Sequence, residues 1–268
     1  MFALRALTAA VLLAAFFAAV FLLDPLHFAA LVTVIVALGA HEWARLSGWR
    51  GAIALAYAGA CALTLVVAMA VFRELQTATP IWAIALLFWL LAVPVSLARG
   101  IAANWRGRIA AAGFIVLVPA GLAAATLPPG LLLALLGLVW IADTAAYLAG
   151  RAFGRRRLAP TVSPGKTWEG VAGGALGALA YAIILSRAMP EVGRHVAGAA
   201  WIAYLGGVTM LCALSVLGDL FESAVKRRAG VKDSGALLPG HGGVLDRIDS
   251  ATAVLPAGAF LIAWSGVA

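Results

Sequence analysis

The sequence predicts an all-α, polytopic integral membrane bundle of about nine transmembrane helices, on three observations. Hydrophobic residues make up 64% of the chain and charged residues 11%, against roughly 45–50% and about 25% in soluble domains. Apolar runs of about 20 residues, the length that crosses a bilayer, recur from one end to the other. Lys and Arg gather in alternate breaks between those runs, as they do in cytoplasmic loops.

Cutting at the charged and Pro/Gly-rich breaks places spans at approximately 5–23, 27–45, 52–72, 80–98, 109–127, 131–149, 169–187, 197–218 and 250–267. The first has a basic start and a long apolar stretch, as a secretory signal has, but comparable stretches follow to the C-terminus, so it reads as a retained span. Asp24-Pro25 makes a tight hairpin between the first two spans. One side of the membrane then receives Arg5, Arg45, Arg50, Arg99, Arg106, Arg108, Arg151, Arg155, Arg156, Arg157, Lys166, Lys226, Arg227, Arg228, Lys232 and Arg247. Only Arg73, Arg187 and Arg194 of the 19 basic residues remain for the other. The expected topology is an N-terminus in the cytoplasm, a C-terminus outside and a multi-pass protein of the inner (cytoplasmic) membrane.

Residues 1–130 form five N-terminal membrane spans, rich in the small residues that let membrane helices approach. Residues 131–268 hold the polar chemistry, with cytoplasmic loops at 150–168 and 219–249. Trp43, Trp49, Trp82, Trp105, Trp168, Trp201 and Trp264 fall near span ends and read as an interfacial belt. Cys61 and Cys212 sit in apolar runs without the spacing of a metal clip or disulfide framework.

Ser215, Asp219, Glu222 and Lys226 follow one another at i, i+4, i+7 and i+11, so one helix face at the cytoplasmic end of the eighth span carries them. Carboxylates inside a membrane helix are costly unless they face water or a partner, so they mark a functional site or a structural ion pair. The following loop interleaves Arg227, Arg228, Lys232, His241 and Arg247 with Asp233, Asp246 and Asp249 around a Pro239-Gly240-His241-Gly242-Gly243 turn. A polybasic patch alone would serve as an anionic-lipid anchor, but glycine turns bring backbone N–H groups close to oxyanions. Asp246 and Asp249 open the ninth span at i, i+3, as hard oxygen ligands suited to Mg²⁺ against substrate phosphates. The distances of Asp143 from Arg151 and of Asp219 from Arg227 match, which places both aspartates at similar depth. Ser163, Lys166 and Thr167 in the loop Ser163–Gly170 are candidate phosphate contacts, although Pro160 stands where a P-loop needs its first glycine and no strand is expected before it. His41-Glu42 begins like HExxH, but Arg45 breaks the motif, which leaves an interfacial helix end. His27 and His195 lie on outer loops without a ligand cluster.

The stretch Ser223 to Asp249 closely resembles the signature of the phosphatidate cytidylyltransferase (CDP-diacylglycerol synthase) family: Ser, one residue, apolar, Lys-Arg, four residues, Lys-Asp, Pro-Gly-His-Gly-Gly, then Asp-Arg-apolar-Asp. Asp143 to Tyr147, Gly150 and the Ser163–Gly170 loop resemble it too, with Gly165 departing where a second lysine is common. The resemblance covers about residues 140–250 in motif detail. It implies CTP and phosphatidate as substrates, CDP-diacylglycerol and pyrophosphate as products, Mg²⁺ with a second cation left open, and a homodimer. No nucleic acid partner is expected. The roles that go with it are Asp219, Asp246, Lys226, Lys232 and Asp249 as catalytic, and Ser163, Lys166, Thr167, Ser223, Arg227, His241 and Arg247 as substrate-binding. The expected metal ligands are Asp219, Asp246 and Asp143. The rival readings are a related CTP-dependent lipid enzyme, a CDP-archaeol synthase or polyprenol kinase, or an ion-coupled transporter using Asp143 and Asp219 as a relay.

Overall fold

A computed structural model describes residues 2–101, 106–238, 240 and 242–267, with side chains at 10, 11 and from 13 onward. Trp105, Pro239, His241 and the Arg5 side chain lie outside the described residues. The helices are α1 (Phe2–Leu22), α2 (Pro25–Leu46), α3 (Gly51–Val71), α4 (Thr79–Leu87), α5 (Val93–Arg99), α6 (Arg106–Thr126), α7 (Pro129–Phe153), α8 (Trp168–Ala188), α9 (Pro190–Gly193), α10 (Ala200–Arg228) and α11 (Leu245–Ser265). Eight helical segments among the described residues are long and apolar enough to cross a membrane, with α4 and α5 sharing one, and α1 adds the apolar stretch Leu13–Leu22. The protein is therefore a multi-pass helical membrane bundle.

Local chemistry explains the boundaries. Asp24 caps α2 by accepting hydrogen bonds from the Leu26 and His27 N–H groups, with Pro25 at the first helical position, where its missing N–H costs nothing. In the same turn the His27 hydrogen bond holds the exposed Asp24 carboxyl below its usual pKa. A π-helical turn at Phe88–Ala92 joins α4 to α5, next to Pro94, which lacks the donor that regular helix needs there.

Three sequence expectations change. The all-α reading gains a two-stranded antiparallel hairpin, β1 (Arg157–Ala159) and β2 (Ser163–Thr167), where a plain loop was expected. Glu169 secures it, its carboxylate accepting hydrogen bonds from the Arg155 and Arg156 N–H groups. Second, α10 continues through Asp219 and Lys226 to Arg228, so the expected loop 219–249 begins as helix. Its end is a Schellman motif, Val231 N–H to Lys226 C=O and Gly230 N–H to Arg227 C=O, with Gly230 at φ 75°. Third, Trp43 and Trp82 are fully buried, not interfacial, because their indoles donate to the Ile109 and Leu75 carbonyls. Trp168 and Trp264 are exposed.

The two sequence halves interlock. α11 packs against α4 and α6 as well as α7 and α10, so its middle, from Ser250 to Ala259, is buried throughout. α7 and α8 pack closely along their length. Gly170, Gly173, Gly174 and Gly177 of α8 lie directly on Ala142, Ala145, Ala146 and Ala149 of α7, the small-residue contact that lets membrane helices approach. This pairing fixes the hairpin, which joins the C-terminus of α7 to the N-terminus of α8.

Candidate active site

One end of the bundle brings together the C-terminal ends of α7 and α10, the N-terminal ends of α8 and α11, and the hairpin. α10 crosses α11 at Gly218, where an added Cβ would stand 2.6 Å from the Asp249 carbonyl oxygen. That crossing sets Asp219 beside the start of α11. The Ser250 hydroxyl adds a hydrogen bond to the Ser215 carbonyl at 3.2 Å.

Two lysine–aspartate pairs organise the site. Lys166, at the end of β2, approaches Asp219 Oδ2 at 2.8 Å, while Ser223 Oγ donates to Asp219 Oδ1 at 3.1 Å. Lys226 contacts Asp246 Oδ1 at 2.6 Å and Glu222 Oε2 at 3.4 Å. Asp246 Oδ2 accepts from Ser234 N at 2.9 Å and Gly243 N at 2.8 Å, and Ser234 Oγ, whose single proton is shared with a second carboxylate, lies 3.0 Å away. Both oxygens of Asp246 are thus engaged by protein groups. The loop after α10 must fold back into the bundle to supply these donors, and Gly242, at φ 82°, gives the chain the positive φ that its turn requires.

Asp249 and Glu222 lie within electrostatic reach of each other and of Lys226, and Asp249 is also within reach of Asp219. Both oxygens of Glu222 are buried, with the Lys226 ammonium 3.4 Å from Oε2 as a charge contact and Asp249 alongside. Asp143, on the exposed face of α7, lies in the field of Lys166 and Asp219. No three His, Cys, Asp or Glu side chains among the described residues converge on a single point.

The remaining expected residues divide by exposure. Arg227, Lys232 and Arg247 are exposed around the site, Arg227 reaching the Val162 carbonyl on the hairpin at 3.4 Å. Thr167 is buried, and its hydroxyl accepts the Gly170 N–H as the cap of α8, so it holds the hairpin–helix junction. Ser163 pairs with Ala159 in the hairpin and is half-buried.

Glu42 enters the site from α2, where an interfacial helix end was expected. It is buried and accepts from Ser234 Oγ at 2.8 Å and from the Val244 and Leu245 N–H groups at 3.0 Å each. Its position in the broken zinc motif gave no sign of this. Glu222 carried a visible signal, its place on the Ser215–Lys226 face.

An apolar cavity of about 280 Å³ runs between α7, α8, α10 and α11. It begins about one helical turn from Asp143 and Ser215, at Leu138 and Leu211, and extends to Trp264. The polar site and an apolar cavity therefore share the same helices.

A family model described as the cytidylyltransferase family matches residues 3–264. The chain is 42% identical over 267 residues to the phosphatidate cytidylyltransferase of Pseudomonas aeruginosa, a match that covers 96% of each protein. It is 56% identical over 129 residues to the phosphatidate cytidylyltransferase of Haemophilus influenzae, across 47% of this chain and 43% of that protein. The Brucella suis protein of the same name is 48% identical over 119 residues, across 44% of this chain and 42% of that one. A match that takes in nearly every element described above, from α1 to α11, leaves one assignment: the chain belongs to the cytidylyltransferase family.

Proposed function

We propose that this protein is a phosphatidate cytidylyltransferase, converting CTP and phosphatidate to CDP-diacylglycerol and pyrophosphate. The observation that carries the reading is the Lys166–Asp219 pair beside the Lys226–Asp246 pair at one membrane end. A polyphosphate and a lipid headgroup both need such a cationic, carboxylate-bearing surface.

The phosphatidate monoester oxygen attacks the α-phosphorus of CTP, the bond to the β-phosphate's bridging oxygen breaks, and pyrophosphate departs. The second pKa of a phosphate monoester is about 6, so the attacking oxygen is ionised at pH 7 without a general base. Lys166, Lys226, Arg227 and Lys232 orient the phosphates, with Ser163 and Arg247 as further contacts, and the sequence motif Pro239-Gly240-His241-Gly242-Gly243 offers His241 as another donor. Asp249 borders the same anionic cluster. The apolar cavity gives acyl chains a place along the helices that carry the headgroup site.

A divalent cation fits the donor chemistry: the hard oxygens of Asp219, Glu222, Asp246 and Asp249 outnumber Lys166 and Lys226, and the buried Glu222 carboxylate has Lys226 only at 3.4 Å. Asp219, Asp246 and Asp143 would hold Mg²⁺, with Glu222 adjacent, and a second cation is compatible with the remaining oxygens. When bound, the ion neutralises triphosphate charge and the departing pyrophosphate. Because Asp246 is engaged by Lys226, Ser234 and Gly243, the chain holds that carboxylate ready oriented.

The working form is read as a homodimer in a bacterial inner membrane, N-terminus in the cytoplasm, supported by the family resemblance and the one-sided placement of Lys and Arg. Purified protein in detergent, given labelled CTP and phosphatidate, should form labelled CDP-diacylglycerol only with Mg²⁺ present, and EDTA should stop it. Product formation from neither lipid-plus-CTP nor any Mg²⁺ concentration would refute the reading. Light scattering in detergent measures the oligomer, and a C-terminal reporter active only outside the cytoplasm supports the orientation.

A further inference from the structure

We propose that Glu42 is a positioning residue for the transfer reaction, acting from the N-terminal half of the chain to hold Asp246 in its working orientation. This rests on the cytidylyltransferase reading for its kinetic consequence and on geometry alone for the contact itself.

The Val244–Leu245 start of α11 has no side-chain cap of its own, and a helix N-terminus leaves N–H groups in need of acceptors. Glu42 supplies them from a position 202 and 203 residues earlier, at 3.0 Å to each N–H. A buried carboxylate this close to the membrane is costly unless its oxygens are matched by donors. Ser234 then links the two acids. Its single hydroxyl lies 2.8 Å from Glu42 Oε2 and 3.0 Å from Asp246 Oδ2, while its N–H donates to the same Asp246 oxygen. Glu42 therefore grips both ends of the turn, at Ser234 and at Val244–Leu245, that presents two N–H donors and a shared hydroxyl to Asp246.

Clearance around the carboxylate is an independent sign of a fitted contact. A Cβ added at Gly235 would overlap Glu42, and one added at Gly243 would overlap both Glu42 and Ser234. The turn is closed down on Glu42 to a degree that only glycine allows at these two places. Gly243 of the signature thus serves a carboxylate on α2, while Gly242 lies against Asp246.

The test is Glu42→Gln in purified, folded protein. Glutamine keeps one acceptor oxygen and replaces the other with a donor, so at least one of the three donors loses its partner. Hydrogen exchange should show faster exchange at Val244 and Leu245. Turnover should show kcat lowered about 10–100-fold, the range for residues that orient a working ligand through hydrogen bonds, with KM for CTP within about threefold of wild type. A cap with no part in positioning would lower thermal stability and leave kcat of the folded fraction unchanged. Unchanged exchange in the 243–246 segment, or wild-type kcat in folded Glu42→Gln, would overturn the proposal. Should that variant fail to fold, Ser234→Ala removes only the bridge: a kcat loss of about 3–10-fold supports the proposal and wild-type kcat refutes it. If wild-type protein itself makes no CDP-diacylglycerol, the functional reading has failed, and the exchange arm still decides the contact.

Discussion

The Lys226–Asp246 and Lys166–Asp219 pairs are chemically alike and physically different. In the first, the lysine and aspartate side chains are 11% and 6% exposed, and Asp246 takes two N–H hydrogen bonds and a share of the Ser234 hydroxyl. In the second the values are 23% and 31%, and the lysine is carried by a two-stranded hairpin. The inner pair is part of the framework, because removing either partner would strand a charge away from water. The outer pair is more open to water, so under the proposed function an incoming phosphate would compete with Asp219 for Lys166. The inner pair also holds the shape of the site while it faces the phosphates.

Substitutions at the two pairs should separate these roles. Asp219→Asn should have the largest effect on turnover, a loss of about 10²–10³-fold, typical of removing one charge-stabilising group from an active site. It should also shift Mg²⁺ dependence and leave the folded fraction intact by size-exclusion chromatography. Wild-type rates at wild-type Mg²⁺ would break the contrast. Lys226→Met should show its effect first in stability, about 3–5 kcal/mol for breaking a buried pair, measured by denaturation in detergent. Lys166→Met should cost at most about 1 kcal/mol of stability, as partly exposed pairs do, while raising KM for CTP about tenfold in steady-state kinetics. Equal stability losses at Lys166 and Lys226 would erase the distinction between the pairs. Lys232→Ala, at an exposed position, should have the smallest effect. About 1 kcal/mol for one basic residue near an anionic surface corresponds to roughly a fivefold change in turnover on anionic vesicles, and the effect should fade with added salt.

The spans, and many of the residues gathered at the candidate site, are legible in the sequence because both rest on local signals. Apolar length shows a span directly, and the i, i+4, i+7, i+11 spacing from Ser215 to Lys226 puts its side chains on one face wherever the helix packs. The end of α10 was misplaced because a charged membrane-border segment reads as loop by composition, while its helical state depends on the Schellman turn at Gly230 and on burial of Glu222 and Lys226. The hairpin escaped notice because Arg157–Ala159 and Ser163–Thr167 are too short and polar for a strand pattern. Glu42 reads as an interfacial helix end for a different reason: a zinc motif is defined four residues away, whereas its partners stand 202 and 203 residues downstream, a pairing that no local period encodes. The same distance hid the burial of Trp43, which depends on the carbonyl of Ile109.

The separation between Glu42 and its partners also orders the making of the protein. Chains emerge at about 5–20 residues per second, so α2 leaves the ribosome on the order of 10–40 seconds before Val244 and Leu245, 202 and 203 residues later. Throughout that interval the carboxylate lacks the donors that make its burial tolerable and must stay in water at the membrane border. The last long helix therefore completes the earliest part of the site as well as its own. A nascent chain stopped before Val244 would carry most of the spans but not the Val244 and Leu245 donors to Glu42.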